Sequence, residues 1–311
     1  MSQQITKLTW EKLLKIPALL VRGIRHHATG RLYLPRPKKF SLMVTERCDA
    51  RCVMCSYWRN KPGREPSLAE IGKIFSNPLL TKLETVVLTG GEPTLRSDLP
   101  QIADIILSAL PRIKSLVIIT NALNPALLVR YIEAIMRLKQ YRKIKEFIVV
   151  ISLDALDRVH DDLRGVPGAS DQVRASIDLL RKMQRQTPFK IALNCTVQQA
   201  NIASLLALYK FSKTVGLPVY FRPITLKIAA QDIFDQQQAL GPKQLKELTQ
   251  LFNGPIELNL MDQLFWQDCF RIKSGSRRRL PCAVPYQVVF MKAQGDIYAC
   301  GMHDQVAPLL Y

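Results

Sequence analysis

From residue 40 onward the chain repeats one alternation, a short apolar, β-branched run followed by a stretch of helical periodicity. The runs at 40–44 (FSLMV), 85–89 (TVVLT), 115–120 (SLVIIT), 147–153 (FIVVISL), 190–197 (KIALNCTV) and 218–223 (PVYFRP) read as strands. Helical segments fall near 67–76, 98–109, 125–138, 171–185 and 201–214, with a further one at 241–253. Ser67 with Glu70 three residues on is a capping-box pattern, and Asn124-Pro125 places proline at a first helical position. Strands apolar nearly throughout need cover on both faces, and alternation with helices implies parallel pairing through crossovers. Six such units predict an α/β fold, a partial (β/α)6 TIM-like barrel. An open doubly wound sheet is the alternative.

At 311 residues, 48% of them hydrophobic, the chain can bury a large core. Its longest apolar runs fall far short of a spanning helix, and no small-residue cleavage site follows the N-terminal apolar run. Seven cysteines form an odd count that does not suggest a disulfide framework; a reducing, cytoplasmic setting with free thiols fits better. The net charge is +19, and residues 1–40 hold nine basic residues against the single acid Glu11. Three regions are expected: a basic leader over 1–38, the barrel over 39–226, and a small C-terminal module over 227–311. The leader sets Leu8, Trp10, Leu13, Leu14, Leu20, Val21 and Ile24 among cations, with Pro17 breaking the middle. A solvated arm packed on the barrel is expected. The alternative is an interfacial helix on an anionic membrane, which would make the protein peripheral to it. No nucleic-acid motif accompanies the charge, so nucleic acid is not an expected partner. His26 and His27 read as surface residues.

The chemistry-bearing stretch is TERCDARCVMCSYW, which places Cys48, Cys52 and Cys55 in the loop after the first strand. That is the C-terminal strand end, where barrel and α/β active sites lie. Thiolates on one short loop suit a soft metal or an iron–sulfur cluster. A structural zinc site wants four ligands, and no fourth lies nearby, so three thiols imply a site with an open position.

Cys-x3-Cys-x2-Cys after the first strand, with Gly90-Gly91-Glu92-Pro93 after the second, resembles the radical S-adenosylmethionine (radical SAM) superfamily. The resemblance implies that Cys48, Cys52 and Cys55 hold three irons of a [4Fe–4S] cluster, whose fourth iron chelates S-adenosylmethionine. It implies that the Gly90–Pro93 stretch, with the carboxylate of Glu92, binds the methionine ammonium. ITNA at 119–122, containing Asn121, resembles the family's third-strand TNG, with Ala122 in place of glycine. SLDA at 152–155 resembles its SLDG, which puts Ser152 and Asp154 near the ribose. HDDLRGVPGAS resembles a stretch whose arginine, Arg164 here, partners the cofactor carboxylate, with Ser170 where phenylalanine is common. Asn194, at the fifth strand's end, could also face the cofactor. Met54 stands where the family often has an aromatic residue and remains apolar. The resemblance spans roughly residues 40–225.

YQVVFMKAQGDIYAC reads as two short strands joined by a turn at Gly295-Asp296. Cys282, twelve residues, Gly295, four residues, then Cys300 resembles the opening of SPASM and Twitch modules, which carry auxiliary [4Fe–4S] clusters. The resemblance implies at most one auxiliary cluster, on Cys269, Cys282 and Cys300, its fourth site open to substrate or filled by His303 or Asp304. The alternative is a degenerate module whose thiols pack or bind zinc. Cys195, inside a strand pattern, reads as buried packing.

As a whole the resemblance implies one-electron cleavage of S-adenosylmethionine to a 5′-deoxyadenosyl radical, which abstracts hydrogen from a peptide or small natural product. A flavodoxin- or ferredoxin-type protein would donate the electron. Rival readings are modification of a lipid or phosphorylated sugar at a membrane surface, and a non-catalytic S-adenosylmethionine-binding iron–sulfur protein.

Overall fold

The computed structural model describes residues 36–59, 61–224, 227–228, 231–232, 240–273, 275–276 and 287–298. Six strands run in the predicted places: β1 Lys39–Thr45, β2 Thr85–Gly90, β3 Ser115–Thr120, β4 Glu146–Ser152, β5 Lys190–Val197 and β6 Val219–Pro223. Each is parallel to the next, in the order of the sequence. A doubly wound sheet reverses its strand order at a switch point. No reversal occurs here, so right-handed crossovers place all the linking helices on one side of the sheet. The result is an α/β partial barrel whose sheet stays open.

The linking helices are α1 Leu68–Phe75, α2 Leu99–Ala109, α3 Pro125–Met136, α4 Arg158–Arg164, α5 Ala169–Gln184 and α6 Leu205–Val215, followed by α7 Pro242–Asn253 and α8 Leu260–Lys273. Ser67 and Glu70 form the expected capping box on α1. Asn124 caps α3 through the amide of Leu127, with Pro125 first in the helix. The periodicity missed α4, a seven-residue and mostly polar helix, and α8.

Strand burial corrects one expectation. On β4 the residues Phe147, Val149 and Ile151 are buried beneath helices, whereas Ile148, Val150 and Ser152 are only half-buried. On β3, Val117 and Ile119 are likewise half-buried. An open barrel covers its convex face with helices and leaves the concave face partly accessible.

The predicted pair of short strands is present as β9 Val288–Met291 and β10 Ile297–Tyr298, after a two-residue antiparallel pair, β7 Lys227–Ile228 and β8 Gln231–Asp232. β9 lies parallel against β1, with Leu42 opposite Met291, so this pair extends the barrel sheet at its β1 edge. Gln294, in the turn between them, donates to the buried Glu46 carboxylate at 3.1 Å, as does the Gly63 amide at 3.1 Å. Among the described residues no helix is long and apolar enough to cross a membrane. The basic leader, apart from its last few residues, lies outside the described residues.

Candidate active site

The loop after β1 is held on two sides before any ligand is considered. On one side Gly91 N donates to Thr45 O and Glu92 N to Arg47 O, both at 2.8 Å. The glycines permit this approach: a Cβ on Gly91 would lie 2.1 Å from Arg47 O, and one on Gly90, whose φ is 152°, would lie 2.3 Å from Thr45 O. On the other side Arg51 N donates to Arg164 O at 2.8 Å and Val53 N to Leu163 O at 3.0 Å. Gly165 ends α4 in a left-handed conformation, where a Cβ would meet Arg51 O at 2.5 Å. Trp58 Nε1 donates to Cys52 O at 3.1 Å, a bond of about 1 kcal/mol.

Cys48, Cys52 and Cys55 line a cavity of about 320 Å³ together with Gly90, Gly91, Asn121, Ser152 and Arg164. The fold thus brings those five to one space with the three cysteines. Asn121 Nδ2 lies 4.0 Å from Cys48 Sγ and donates to Asp49 at 2.6 Å. Arg164 Nη1 lies 3.8 Å from Cys52 Sγ, and its Nη2 is paired with Asp154 at 2.7 Å. Burial pushes the Cys48 thiol up to about 12 and raises Cys55 as well, so in the apoprotein both are neutral thiols. Among the described residues no three His, Cys, Asp or Glu side chains converge as one metal ion's ligands would. Three thiols from one loop that open on one cavity are a donor set that suits an iron–sulfur cluster with an open iron position.

Four predicted residues do not reach the cavity wall. The fully buried Glu92 carboxylate accepts from Thr94 N at 3.1 Å, Thr94 Oγ1 at 2.8 Å, Thr120 Oγ1 at 2.8 Å and Asn121 N at 2.7 Å. It ties the double-glycine turn to the end of β3, and burial raises its pKa against those four donors. Pro93 is buried at the start of the short 3-10 turn Pro93–Leu95. Asp154 is fully buried, accepting from Thr196 N at 2.8 Å while it holds Arg164. Burial raises its carboxyl and Arg164 opposes the rise. On β5 it is Thr196, on the same face as Asn194 and nearer the strand's C-terminal end, that lines the cavity. Cys195 is fully buried, as expected. Cys269 lies half-buried on α8, packed against the core, whereas Cys282, Cys300, His303 and Asp304 lie outside the described residues.

Ala122, where glycine was the pattern, takes a left-handed φ of 57°. Sequence reasoning missed Tyr57, Trp58 and Arg222 on the cavity wall. The first two follow the last cysteine directly; Arg222 had no signal beyond its place at the end of a predicted strand. It also missed Arg96, 4% exposed, which donates to Val44 O at 2.8 Å and Pro66 O at 2.6 Å and pairs with Asp98 at 2.6 Å.

An open parallel barrel, a three-cysteine loop at its first strand end and a double-glycine turn at its second define a cofactor-binding α/β protein. The Radical SAM superfamily pattern matches residues 42–197, and the chain belongs to that superfamily, whose enzymes use a [4Fe–4S] cluster and S-adenosylmethionine. A probable GTP 3′,8-cyclase of Methanococcus maripaludis is 30% identical over 184 residues, 58% of this chain and 56% of that protein. An Fe-coproporphyrin III synthase of Methanosarcina barkeri is 28% identical over 177 residues, 56% of this chain and 41% of that protein. The chain thus spans about half the length of these relatives. Among solved structures, Streptococcus suis SuiB bound to S-adenosylmethionine superposes with a TM-score of 0.58 at 16% identity, covering 96% of this chain and 67% of that one. The anSMEcpe structure with AdoMet and a Kp18Cys peptide gives 0.60 at 15% identity, covering 86% of this chain and 75% of that one. At such identities the likeness is one of fold.

Proposed function

We propose that this chain is a catalytically active radical SAM enzyme, with Cys48, Cys52 and Cys55 holding the cluster, that acts on a peptide or small natural product. When bound, the cluster and S-adenosylmethionine supply a 5′-deoxyadenosyl radical that abstracts a substrate hydrogen. The observation that carries the reading is one cavity walled by three thiols from a single loop, the double-glycine turn, Asn121, Ser152 and Arg164. Gly90 and Gly91 present backbone groups to the methionine ammonium. Arg164, with Nε unpaired by any described residue, offers a charge-assisted donor to the carboxylate. Ser152 offers a hydroxyl at the ribose end. Met54, Tyr57 and Trp58 wall the cluster side with apolar surface and shield it from water. A bound peptide in the anSMEcpe structure and the small-molecule names of the sequence relatives support the two substrate classes respectively.

The test is anaerobic reconstitution followed by dithionite reduction in the presence of S-adenosylmethionine. Wild type is expected to form 5′-deoxyadenosine and methionine and a Cys55→Ala variant none. Equal, background-level product from both proteins refutes the reading.

A further inference from the structure

Arg222, at the end of β6, is the cavity's second arginine. It lines the same cavity as Arg164, yet nothing in the cofactor reading employs it. Its side chain is 40% exposed, against 10% for that of Arg164, so it is the wetter and more reachable of the two.

The guanidinium is held rather than mobile. Nη1 donates to Asp262 Oδ1 at 2.8 Å and to Phe221 O at 2.9 Å. Asp262, on α8 and 7% exposed, is itself fixed: its Oδ2 accepts from Asn259 Nδ2 at 2.6 Å, and its amide donates to Asn259 Oδ1 at 3.0 Å. Aromatic faces flank the group, with Cζ 5.3 Å from the Tyr220 ring centroid and 5.3 Å from that of Phe265. The anchoring uses one nitrogen. Among the described residues neither Nε nor Nη2 of Arg222 has a hydrogen-bond partner. That edge of the guanidinium is the one that meets a carboxylate or phosphate with two parallel N–H···O bonds.

A surface ion pair would leave both partners free to wander. Here Nη1 is tied to α8 through Asp262 and to the strand through Phe221 O, while the other edge has no described partner, on a residue that lines the cysteine cavity. We propose that Arg222 is a specificity residue that binds an oxyanion of the substrate, a carboxylate or a phosphate, and so sets the register of the substrate in the cavity. The inference rests on the functional reading above, because it takes Arg164 as the partner of the cofactor carboxylate and leaves Arg222 for the second ligand. Asp262 positions the guanidinium and, by offsetting part of its charge, moderates its affinity for the anion.

The test uses reconstituted holoenzyme saturated with S-adenosylmethionine and titrated calorimetrically, in low-chloride buffer, with inorganic pyrophosphate and separately with acetate. Wild type is expected to show one saturable oxyanion site. Arg222→Gln should weaken it by about tenfold or more, the loss of charge-assisted bonds. Asp262→Asn should tighten it by about two- to fivefold, because the anion then meets an unopposed cation. A purely structural ion pair would make both variants worse, so the opposite signs are the decisive readout. Pyrophosphate binding well above acetate identifies a phosphorylated substrate, and comparable affinities identify a carboxylate; either supports the site.

The proposal is overturned if wild type binds neither anion saturably, if Arg222→Gln leaves the affinity unchanged, or if Asp262→Asn weakens it. It is also overturned if Arg222→Gln abolishes the change that S-adenosylmethionine makes in the EPR signal of the reduced cluster, which would put Arg222 on the cofactor instead. These titrations involve no turnover. A failure to form 5′-deoxyadenosine therefore refutes the functional reading and not the anion site.

Discussion

Replacing Gly91 by alanine tests whether the double-glycine turn exists for the cofactor alone or first for the cysteine loop. The new methyl would lie 2.1 Å from Arg47 O, 2.6 Å from Arg47 C and 2.7 Å from Glu46 O. All three are backbone atoms and cannot swing aside as a side chain would. The loop and the end of β2 must part, which breaks the bonds from Gly91 N to Thr45 O and from Glu92 N to Arg47 O, each 2.8 Å. Each bond contributes about 1 kcal/mol net, and overpacking adds about 1–3 kcal/mol, so the expected loss is about 3–5 kcal/mol. Gly168→Ala is the control: its Cβ would meet nothing within 4 Å, and only the left-handed φ of 75° opposes it, at about 1–2 kcal/mol. Urea unfolding of both variants as anaerobic apoproteins, followed by far-UV CD, measures the difference. The apo state is chosen because no cofactor contact can then contribute. If Gly91→Ala lies within 1 kcal/mol of wild type, or Gly168→Ala is the worse of the two, the loop is not organised by this contact.

Three further outcomes are expected. Arg96→Lys keeps the charge but cannot reproduce donation to Val44 O, Pro66 O and Asp98 together; the apoprotein should lose about 2–4 kcal/mol in urea unfolding, and a change under 1 kcal/mol would refute this role. His160 is fully buried, its Nδ1 accepts from Asp154 N at 3.1 Å, and burial pushes it down to about 3 from an ordinary 6.5. Between those values the unfolded chain binds the extra proton, so stability is full above pH 6.5 and falls as pH drops through the window, by up to about 1.4 kcal/mol per pH unit. His160→Asn keeps an acceptor and loses the titration, so its unfolding midpoint between pH 6.5 and 4.5 should be flatter than that of wild type; parallel profiles would refute the assignment. Finally, since burial raises Cys48 to about 12 and Cys55 upward, iodoacetamide at pH 8 should label Cys48 in the apoprotein at least about tenfold more slowly than a free peptide thiol, and Cys55 more slowly than that peptide too. Mass spectrometry reads the rates, and labelling as fast as the peptide would show the loop to be open.

The six-strand alternation, the capping box at Ser67 and the proline start at Pro125 are local patterns, and the sequence by itself determined them. Periodicity and capping depend on neighbours a few residues apart. The cysteine loop and the double-glycine turn were legible for the same reason, as contiguous motifs. The partial barrel was legible from its six units, whereas the pairing of β9 with β1 was not, because strands so far apart in the chain meet only through the tertiary fold. Nor was the fate of the acids: Glu92 and Asp154 stand in motifs that suggested ligand contact, yet burial commits them to Thr94, Thr120 and Asn121 in one case and to Arg164 and Thr196 in the other. Arg96 and Arg222 show the converse. Each is one arginine among many in the sequence, and partners 30 to 52 residues away decide what it does: Pro66 and Val44 for Arg96, and Asp262 for Arg222. Charge and hydrogen bonding act through space, so only the tertiary structure could say which cations remain available to a ligand.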